Sequence, residues 1–467
     1  MRELPDWPIA YAAQTHPDDV AVVEGEASYT FRDYDAAVTR LAATLEVEPG
    51  ERVGICVAPS YGYLVLLQAV MRRGGVVVPI STRLPGEALT LLVATLGLRH
   101  CFTVLPALPA SLSEASGAAP PVPVARDLTA SAIVVLSSGS STAPKAVVHS
   151  YDSLACNALG AAIVIPIQRH DRWLLSLPLY HVSGLGILFR TALAGATVVI
   201  DSGRSLVDAI RQHTITHVSV VAAQLRELVA ACEDDAPLPS LKAVLAGGSH
   251  IPADLVKRSL GVGLPLHLSY GSTEMGSQVT TTDRHDLRTR PDSAGRLLPY
   301  REAKVSDTGE LFVRGRTLCQ GYLVDGTIRP CVDAAGWFHT GDSGAFDVEG
   351  HLSVTGRRDR LFISGGENIY PEEIETALLA LPGIEEAVVV AVPHTEYAAR
   401  PVAFVRAEVG VDVETDTIRA ALTGRLESFK RPDQILAWPA DYPTGGIKTD
   451  RPFLRRRALQ LLKQAGE

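Results

Sequence analysis

Short apolar runs rich in valine and isoleucine alternate with amphipathic stretches through roughly the first 350 residues of the chain. This alternation of strand and helix patterns predicts an α/β fold, in which parallel sheets are covered by helices. The predicted strands are Val53–Ala58, Gly75–Ile80, Ala132–Leu136, Trp173–Leu177, Thr197–Asp201, Val218–Val221 and Ala243–Ala246, and the predicted helices include Tyr61–Arg72 and Ser205–His213.

The pattern changes twice toward the end of the chain. From Ala303 onward, shorter strands and turns indicate a small β-rich subdomain. A charged segment, Gly356–Arg360, is followed by an independent α+β pattern whose first helix begins at Pro371. We place a boundary near Arg358, between an N-terminal domain of residues 1–357 and a C-terminal domain of residues 358–467. Further predicted elements are the strands Glu386–Val392 and Pro401–Ala407 and the helix Asp416–Glu427.

Composition excludes several classes of protein. Of the 467 residues, 46% are hydrophobic and 20% are charged, which is too apolar for a disordered chain. The formal net charge of −9 argues against a nucleic-acid or anionic-membrane binder, but it leaves room for a local basic pocket. Met1–Asp6 lacks the apolar start of a signal peptide, and no apolar run reaches the roughly 18 residues that span a bilayer. We therefore expect a cytoplasmic protein without stable membrane insertion.

The cysteines and histidines give no metal-site pattern. The six cysteines are scattered without CxxC spacing, so we expect reduced and mostly buried thiols rather than a disulfide framework or a zinc site. His213 and His217 have no third ligand nearby in sequence, and we interpret both as structural.

A hydroxyl-rich loop follows the predicted strand Ala132–Leu136. It runs from Ser137 to Lys145 and offers backbone N–H groups, side-chain hydroxyls and a terminal lysine to an anion. Pro144 stands where the second glycine of a Walker A loop would be, so this is a different kind of phosphate loop. Considered alone, it could also be a flexible serine-rich connection.

Other segments carry polar residues in turn-like settings. Tyr270–Glu274 combines an aromatic ring, a glycine and a Thr-Glu pair, which suits a base, a close-approaching backbone and a magnesium ligand. Trp337–Asp342 ends in an acid that could accept hydrogen bonds from ribose, Gly356–Glu373 contains a Gly-Gly turn, and Pro443–Lys448 carries a lysine on a glycine-rich loop. Each alone could be an ordinary turn or a solvated surface charge.

Together and in this order, these segments resemble the adenylate-forming superfamily, which includes acyl-CoA synthetases, nonribosomal-peptide adenylation domains and luciferases. The resemblance spans nearly the whole chain, from Tyr29-Thr30-Phe31 to Lys448. It implies a large N-terminal domain of two α/β subdomains plus a β-barrel-like subdomain, followed by a small mobile α+β C-terminal domain. It also implies ATP, Mg²⁺ and CoA as cosubstrates or cofactors, and a carboxylic acid as substrate.

The resemblance assigns roles to individual residues. It implies that Lys448 steadies charge at the α-phosphate, that His181 lines the acyl pocket near the reacting carboxylate, and that Glu274 ligates magnesium. Asp359 would be the hinge between domains. CoA would be bound near Gly365 and Gly366, while ATP and AMP would be bound by Ser137, Ser138, Gly139, Ser140, Ser141, Thr142, Lys145, Gly247, Gly248, Ser249, Tyr270, Gly271, Thr273, Asp342 and Arg357.

One position departs from the family pattern. Thr142 replaces a loop glycine that often permits unusual backbone angles, although threonine can still donate a hydroxyl to phosphate. A degenerate adenylate-binding protein would explain such a change, but Glu274, Asp342 and Lys448 are retained and argue against it.

Further runs resemble the o-succinylbenzoate–CoA ligases of menaquinone biosynthesis. They are Trp173–Gly184, Leu188–Arg190, Ser277-Gln278, Ser364–Tyr370 and Gly445–Lys448. Arg190 lies in an otherwise apolar helical stretch, so it is either a snorkelling surface residue or a pocket cation. The resemblance favours the pocket, where Ser277 and Gln278 could donate to the same carboxylate or to the substrate ketone.

The alternatives are another aryl- or acyl-CoA ligase and a stand-alone adenylation domain that loads a carrier protein. For amino-acid loading, an aspartate facing the amino group would be expected, and none is convincingly placed in His267–Gln278. The sequence leaves open whether copies of the chain form a homo-oligomer.

Overall fold

The computed structural model describes residues 7–109, 127–137, 144–234, 237–408, 411, 414–443 and 449–465. The first part of the chain alternates strands and helices, as the sequence predicts. Its elements are α1 Pro8–Thr15, β1 Val20–Glu24, β2 Ala27–Thr30, α2 Phe31–Thr44, β3 Arg52–Ile55, α3 Tyr61–Arg72, β4 Val76–Pro79, α4 Gly86–Leu96, β5 His100–Phe102, β6 Ser131–Ser137, β7 Lys145–Ser150, α5 Tyr151–Val164, β8 Arg172–Leu174, α6 Val182–Ala194, β9 Thr197–Ile200, α7 Leu206–Gln212, β10 His217–Val220, α8 Ala222–Glu233, β11 Ala243–Ala246, α9 Ala253–Gly261, β12 Leu266–Ser272, β13 Ser277–Thr281, α10 Asp286–Thr289 and β14 Arg296–Leu297.

The rest of the chain is richer in strands. Its elements are β15 Arg301–Val305, β16 Glu310–Gly315, β17 Gly321–Val324, β18 Thr327–Arg329, β19 Phe338–Phe346, β20 Leu352–Arg357, β21 Phe362–Ser364, β22 Glu367–Ile369, α11 Pro371–Leu379, β23 Ile384–His394, β24 Ala398–Ala407, α12 Thr415–Leu422, a 3₁₀ turn at Ser428–Lys430, β25 Gln434–Ala437 and α13 Arg451–Ala465.

Two mixed sheets form the large part of the molecule, and the α/β prediction is confirmed. One is nine-stranded, in the order β14-β13-β12-β11-β10-β8-β9-β1-β2, and the other is seven-stranded, in the order β18-β17-β7-β6-β4-β3-β5. In the first sheet, β1, β9, β8, β10, β11 and β12 are parallel. Helices cover these strands because their apolar side chains must be buried on both faces.

The principal core lies where helices from both sheets meet. Leu64 on α3, Ile133 on β6, Trp173 on β8 and Leu185 on α6 belong to one buried cluster. Local signals set the helix starts: α2 begins after Thr30, whose side chain and Asp33 form a capping box.

The carboxyl ends of adjacent parallel strands place the candidate site residues. The pair β11 and β12 aligns Ala246 with Leu268, so the turn at Gly247 lies beside Ser269, the residue before Tyr270. In open α/β sheets, ligands bind outside the carboxyl ends of the strands, in the crevice between the loops that follow these strands.

A four-stranded antiparallel sheet, β15-β16-β19-β20, occupies the region where the β-barrel-like subdomain was expected. The β17–β18 hairpin comes from the same part of the chain but belongs to the seven-stranded sheet. Within that sheet, Gly321 and Tyr322 on β17 pair with Val148 and Val147 on β7. The last part of the chain has its own three-stranded sheet, β23-β24-β25, between two buried apolar clusters. The boundary near Arg358 lies after β20 and stays a prediction.

Some element bounds differ from the predictions. The strand predicted at Trp173–Leu177 ends at Leu174, because the N–H and hydroxyl of Ser176 bond back to Leu174 O and turn the chain. The helix predicted at Asp416–Glu427 ends at Leu422, shortly before Gly424, a residue that disfavours helix. Among the described residues, no helix combines the length and apolarity needed to cross a bilayer.

Candidate active site

A hydrogen-bonded group joins β12 to the β-rich region. The Tyr270 hydroxyl donates to Asp342 Oδ2 at 2.7 Å, and Arg357 Nη1 donates to Asp342 Oδ1 at 3.1 Å. The antiparallel register of β19 and β20 sets Asp342 opposite Arg357. Three residues for which the resemblance implies adenine or ribose contacts therefore lie together.

The electrostatics of this group follow from its burial. Burial raises the pKa of Asp342, although Arg357 and the Tyr270 hydrogen bond act in the opposite direction. Burial also raises the pKa of Tyr270 well above its usual value, and the nearby Asp342 charge adds to the effect. Tyr270 therefore remains a hydrogen-bond donor at neutral pH.

Arg357 also binds the expected hinge residue. Its Nε and Nη2 donate to Asp359 Oδ1 and Oδ2 at 3.2 and 3.0 Å, which is a bidentate pair. The proposed ribose group and the proposed hinge are thus directly connected.

The turn after β11 is shaped by glycine. A Cβ on Gly247 would lie 2.7 Å from Ser269 Oγ, and Gly248 has a φ of +83°, so side chains at both positions would be unfavourable. Ser249 is exposed. In the Tyr270 motif, a Cβ on Gly271 would collide with Ser277 O.

A buried histidine supports the Tyr270 motif from behind. His149 Nε2 lies 2.8 Å from Thr273 O, and its Nδ1 lies 3.2 Å from Ser153 Oγ. Burial lowers the pKa of His149 to about 4, so the ring is neutral at neutral pH. Because a carbonyl can only accept, Nε2 carries the proton and holds Thr273 in place.

Glu274 has the features of a magnesium ligand. Its Oε1 accepts from the Tyr322 hydroxyl at 2.9 Å, and no hydrogen bond among the described residues occupies Oε2. A half-buried carboxylate with one oxygen held and the other available suits the oxygen preference of Mg²⁺. Lys145 Nζ lies 5.0 Å from the centroid of the Tyr322 ring.

Several predicted site residues lie outside the described residues. Ser137 and Lys145 are paired at the open ends of β6 and β7. Residues 138–143, between these two, and residues 444–448, in the glycine-rich loop near the C-terminus, lie outside the described residues. The predictions that stand untested for this reason concern Ser138, Gly139, Ser140, Ser141, Thr142 and Lys448.

Two of the predicted acyl-site residues lie at helix α6, one just before it and one within it. His181 precedes its first turn, and Arg190 is 3% exposed on its buried face. A Cβ on Gly186 would lie 3.2 Å from Arg190 Nη1, so the guanidinium folds back over Gly186 toward the start of the helix. Gly186 therefore makes room for a buried arginine.

Arg190 is held by uncharged neighbours. Its Nη2 donates to Gln278 Oε1 at 2.5 Å, and its guanidinium carbon lies 5.2 Å from the centroid of the Trp173 ring. Its Nε has no hydrogen-bond partner among the described residues. Gln278 O accepts from Arg301 Nε at 2.7 Å. Within the described part of the chain, neither arginine forms a salt bridge.

The pKa values of Arg190 and Arg301 are both lowered. Burial lowers the pKa of Arg190 to about 10. Burial and the neighbouring Arg190 charge lower that of Arg301 to about 9. Ser277, beside Gln278, has a φ of 135°, a strained value for a residue other than glycine. This region is therefore a buried cationic site bounded by strained backbone.

The sequence analysis did not identify His149, Arg301 or Tyr322. Arg301 begins a strand and resembles a surface arginine in sequence, and the partners of His149 and Tyr322 are far away along the chain. No local pattern distinguishes such residues.

Gly365 and Gly366 form the tight turn of the β21–β22 hairpin. Their φ angles are +61° and +91°, values that favour glycine in a two-residue hairpin turn. Gly365 N donates to Tyr397 O at 3.1 Å. Their contact with CoA stays a prediction.

Two known family models match most of the chain. Residues 9–323 match the AMP-binding enzyme family, and residues 373–444 match the AMP-binding enzyme C-terminal domain.

Individual proteins match over a similar extent. A 2-succinylbenzoate–CoA ligase of Escherichia coli strain K12 is 32% identical, with 96% of this chain and 98% of that protein covered. The structure of an E. coli MenE variant with bound OSB-AMS has a TM-score of 0.84 at 30% identity, with 98% of this chain and 99% of that chain covered. The o-succinylbenzoate coenzyme A synthetase (MenE) of Bacillus subtilis in complex with ATP and a magnesium ion has a TM-score of 0.81 at 27% identity, with 92% and 95% covered.

Proposed function

The chain belongs to the AMP-binding enzyme family, and we propose that it is an AMP-forming ligase that joins o-succinylbenzoate to CoA. ATP first converts the substrate carboxylate to an acyl-adenylate with release of pyrophosphate, and the CoA thiol then displaces AMP to give the thioester. The named relatives support this substrate, and with it a place in menaquinone biosynthesis.

The buried Arg190 is the observation that carries the substrate proposal. o-Succinylbenzoate has two carboxylates: the aliphatic one reacts, and the aromatic one must be bound without reacting. Burying an anion is costly unless a cation and hydrogen-bond donors meet it. Arg190 supplies a buried cation that has a neutral amide and an aromatic ring around it but no carboxylate partner among the described residues.

The direction of α6 orients the substrate. His181 at the start of the helix would lie near the reacting carboxylate, and Arg190 further along would bind the aromatic carboxylate. The fold of the guanidinium back over Gly186 shortens the distance between the two ends. An acid with a single carboxylate would leave Arg190 uncompensated.

The nucleotide would occupy the carboxyl edge of the parallel strands. Tyr270 and the Gly247 turn would contact adenine, and the Asp342 carboxylate with Arg357 would bind the ribose hydroxyls. Ser137 to Lys145 would hold the phosphates. When bound, Mg²⁺ neutralises charge on the phosphates, and Glu274 is the residue that would hold it.

The remaining assignments belong to the same proposal. Lys448 would stabilise the charge that grows at the α-phosphate as the carboxylate attacks. Asp359 would be the hinge about which the C-terminal domain turns between the two half-reactions, which need different site geometries. Gly365 and Gly366 would then approach CoA.

Pyrophosphate exchange tests the proposal. ATP–pyrophosphate exchange is measured with o-succinylbenzoate, benzoate, fatty acids and amino acids, each at matched concentration. We expect o-succinylbenzoate to give the highest kcat/KM. Exchange with simple benzoates or fatty acids but not with o-succinylbenzoate would reject this substrate and leave another aryl- or acyl-CoA ligase.

The acceptor is tested separately. Purified acyl-adenylate is supplied with CoA or with a phosphopantetheine-loaded carrier protein, and thioester formation is followed. We expect rapid transfer to CoA. Transfer to the carrier alone would make the protein a stand-alone adenylation domain.

A further inference from the structure

Two thiols lie close together beside the magnesium-ligand candidate. Cys319 Sγ and Cys331 Sγ are 3.4 Å apart, and both residues are free cysteines. They flank the β17–β18 hairpin, whose register pairs Tyr322 with Arg329 and thus brings the two ends of the hairpin together.

The two thiols differ in environment. Cys319 is buried, whereas Cys331 is partly exposed. A dissolved disulfide reaches the more exposed sulfur first, so Cys331 is the attacking thiol and the buried Cys319 is the resolving thiol.

The pair is connected to the nucleotide site through short contacts. Cys319 N donates to Glu274 O at 2.7 Å, and Tyr322 donates to the carboxylate of the same glutamate at 2.9 Å. One segment of the chain thus contains Cys319, Gly321 and Tyr322. This segment pairs with β7, the strand that begins at Lys145. A displacement of Cys319 would be transmitted to Glu274.

We propose that Cys319 and Cys331 form a dithiol modification site, which a low-molecular-weight disulfide oxidises to an intramolecular disulfide that slows adenylation. The modification itself rests on the two sulfurs, and only its effect on adenylation rests on the proposed function.

The chemistry proceeds by two thiol–disulfide exchanges. The Cys331 thiolate attacks one sulfur of the oxidant RSSR, which forms a mixed disulfide and releases RS⁻. The Cys319 thiol then loses its proton and attacks the Cys331 sulfur, which forms the Cys319–Cys331 bond and releases a second RS⁻. Both thiolates take up protons, so two cysteine thiols are oxidised and RSSR is reduced to two RSH.

Bond formation requires movement. A disulfide bond is about 2.05 Å long, so the sulfurs must approach each other by more than about 1 Å from their present separation. Misplacement of a catalytic group by about 1 Å can cost about 100-fold in rate. Cys319 contacts Glu274 through backbone atoms, so only part of this displacement would reach the glutamate side chain, and we expect the rate of adenylation to fall by about tenfold.

Disulfide mapping tests the modification without reference to activity. The protein is incubated with oxidised glutathione, the remaining thiols are alkylated, and peptides are analysed by mass spectrometry. We expect a Cys319–Cys331 cross-link with loss of two hydrogen atoms in wild type and in the control Cys232→Ser, whose thiol is partly exposed and remote in sequence. Absence of this cross-link, or glutathione retained on Cys331, would overturn the proposal.

Activity tests the coupling. Pyrophosphate exchange of the oxidised wild type should fall by about tenfold and recover with dithiothreitol, whereas Cys331→Ser and Cys331→Ala should keep their rates in oxidant. Thermal unfolding of both variants checks that they are folded. A mapped cross-link with unchanged exchange would overturn the coupling, and a mapped cross-link in a protein that activates no acid would instead count against the proposed function.

Discussion

The Tyr270 hydroxyl lies 2.7 Å from Asp342 Oδ2 and donates to it across the junction between β12 and the β-rich region. Arg357 donates to the other oxygen of the same carboxylate, so Asp342 is held on both sides. The proposed base-binding and ribose-binding residues thus form one unit, and a change in one should alter the other.

The first prediction removes this hydroxyl. Tyr270→Phe keeps the aromatic ring but deprives Asp342 of a donor. Hydrogen bonds to charged groups contribute about 1.5–3 kcal/mol, so the KM for ATP should rise by about 10- to 100-fold with a smaller change in kcat. Steady-state kinetics checks this, with Tyr11→Phe, an exposed tyrosine, as the matched control. An unchanged KM for ATP would contradict the role of the pair.

The second prediction concerns the aromatic carboxylate of the substrate. Arg190→Ala should raise the KM for o-succinylbenzoate by about 10²–10⁴, because a buried charge that loses its partner costs roughly 3–5 kcal/mol. Activity with a monocarboxylate analogue should be spared. Equal loss with both acids would show that Arg190 supports the fold rather than the substrate.

A smaller change tests the same geometry. Gly186→Ala places a methyl group 3.2 Å from Arg190 Nη1 and should displace the guanidinium while keeping its charge. We expect the KM for o-succinylbenzoate to rise by less than in Arg190→Ala. A kinetic series with both variants and wild type measures the order, and a larger effect of Gly186→Ala would exclude this explanation.

The third prediction separates the half-reactions. Lys448→Ala should reduce acyl-adenylate formation by about 10²–10³, the usual contribution of one donor to a developing charge. Thioester formation from supplied acyl-adenylate should remain nearly unchanged. The two rates are measured in single-turnover experiments, and equal loss in both would reject the assignment.

The fourth prediction is a dependence of stability on pH. The unfolded His149 takes up a proton near pH 6.5, whereas the folded residue does so only near pH 4. The unfolded state therefore binds more protons between these values, and the free energy of unfolding should fall as pH drops from 6.5 to 4, by up to about 3 kcal/mol.

His149→Gln isolates this contribution. Glutamine can still donate to Thr273 O but does not titrate, so its denaturant-unfolding curves should lose stability less steeply over that range. His285→Gln, at an exposed position, should retain the wild-type slope. Parallel slopes for wild type and His149→Gln would show that His149 is not the titrating group.

Local sequence patterns predicted much of the fold. Valine-rich strands such as Ala243–Ala246 coincide with β11, because a strand buried on both faces needs a continuous apolar run. The motif residues Tyr270, Asp342 and Arg357 were also identified, and the structure places them in contact. Their roles came from the resemblance to the adenylate-forming superfamily, because Tyr270 lies within β12 and Asp342 within β19, where a strand pattern alone indicates no ligand contact.

Contacts between distant segments were not predictable in this way. The environment of Arg190 depends on Gln278, which is 88 positions away, and only the fold shows that no carboxylate from the described residues reaches it. His149 similarly resembles any strand residue until Thr273 is placed against it. Burial and partner identity are tertiary properties, so the choice between a surface and a pocket arginine required the structure.

The pairing of β17 with β7 has a consequence for folding of the chain during its synthesis on the ribosome. Ser131 on β6 bonds to Gln320, and these residues are 189 positions apart, so this edge of the seven-stranded sheet cannot close until the ribosome has released the hairpin. Nascent chains that stop before Gly321 should keep β7 as an open sheet edge, a template for aggregation. A truncated chain meant as a minimal nucleotide-binding fragment should therefore include β17 and β18 and end after Arg329.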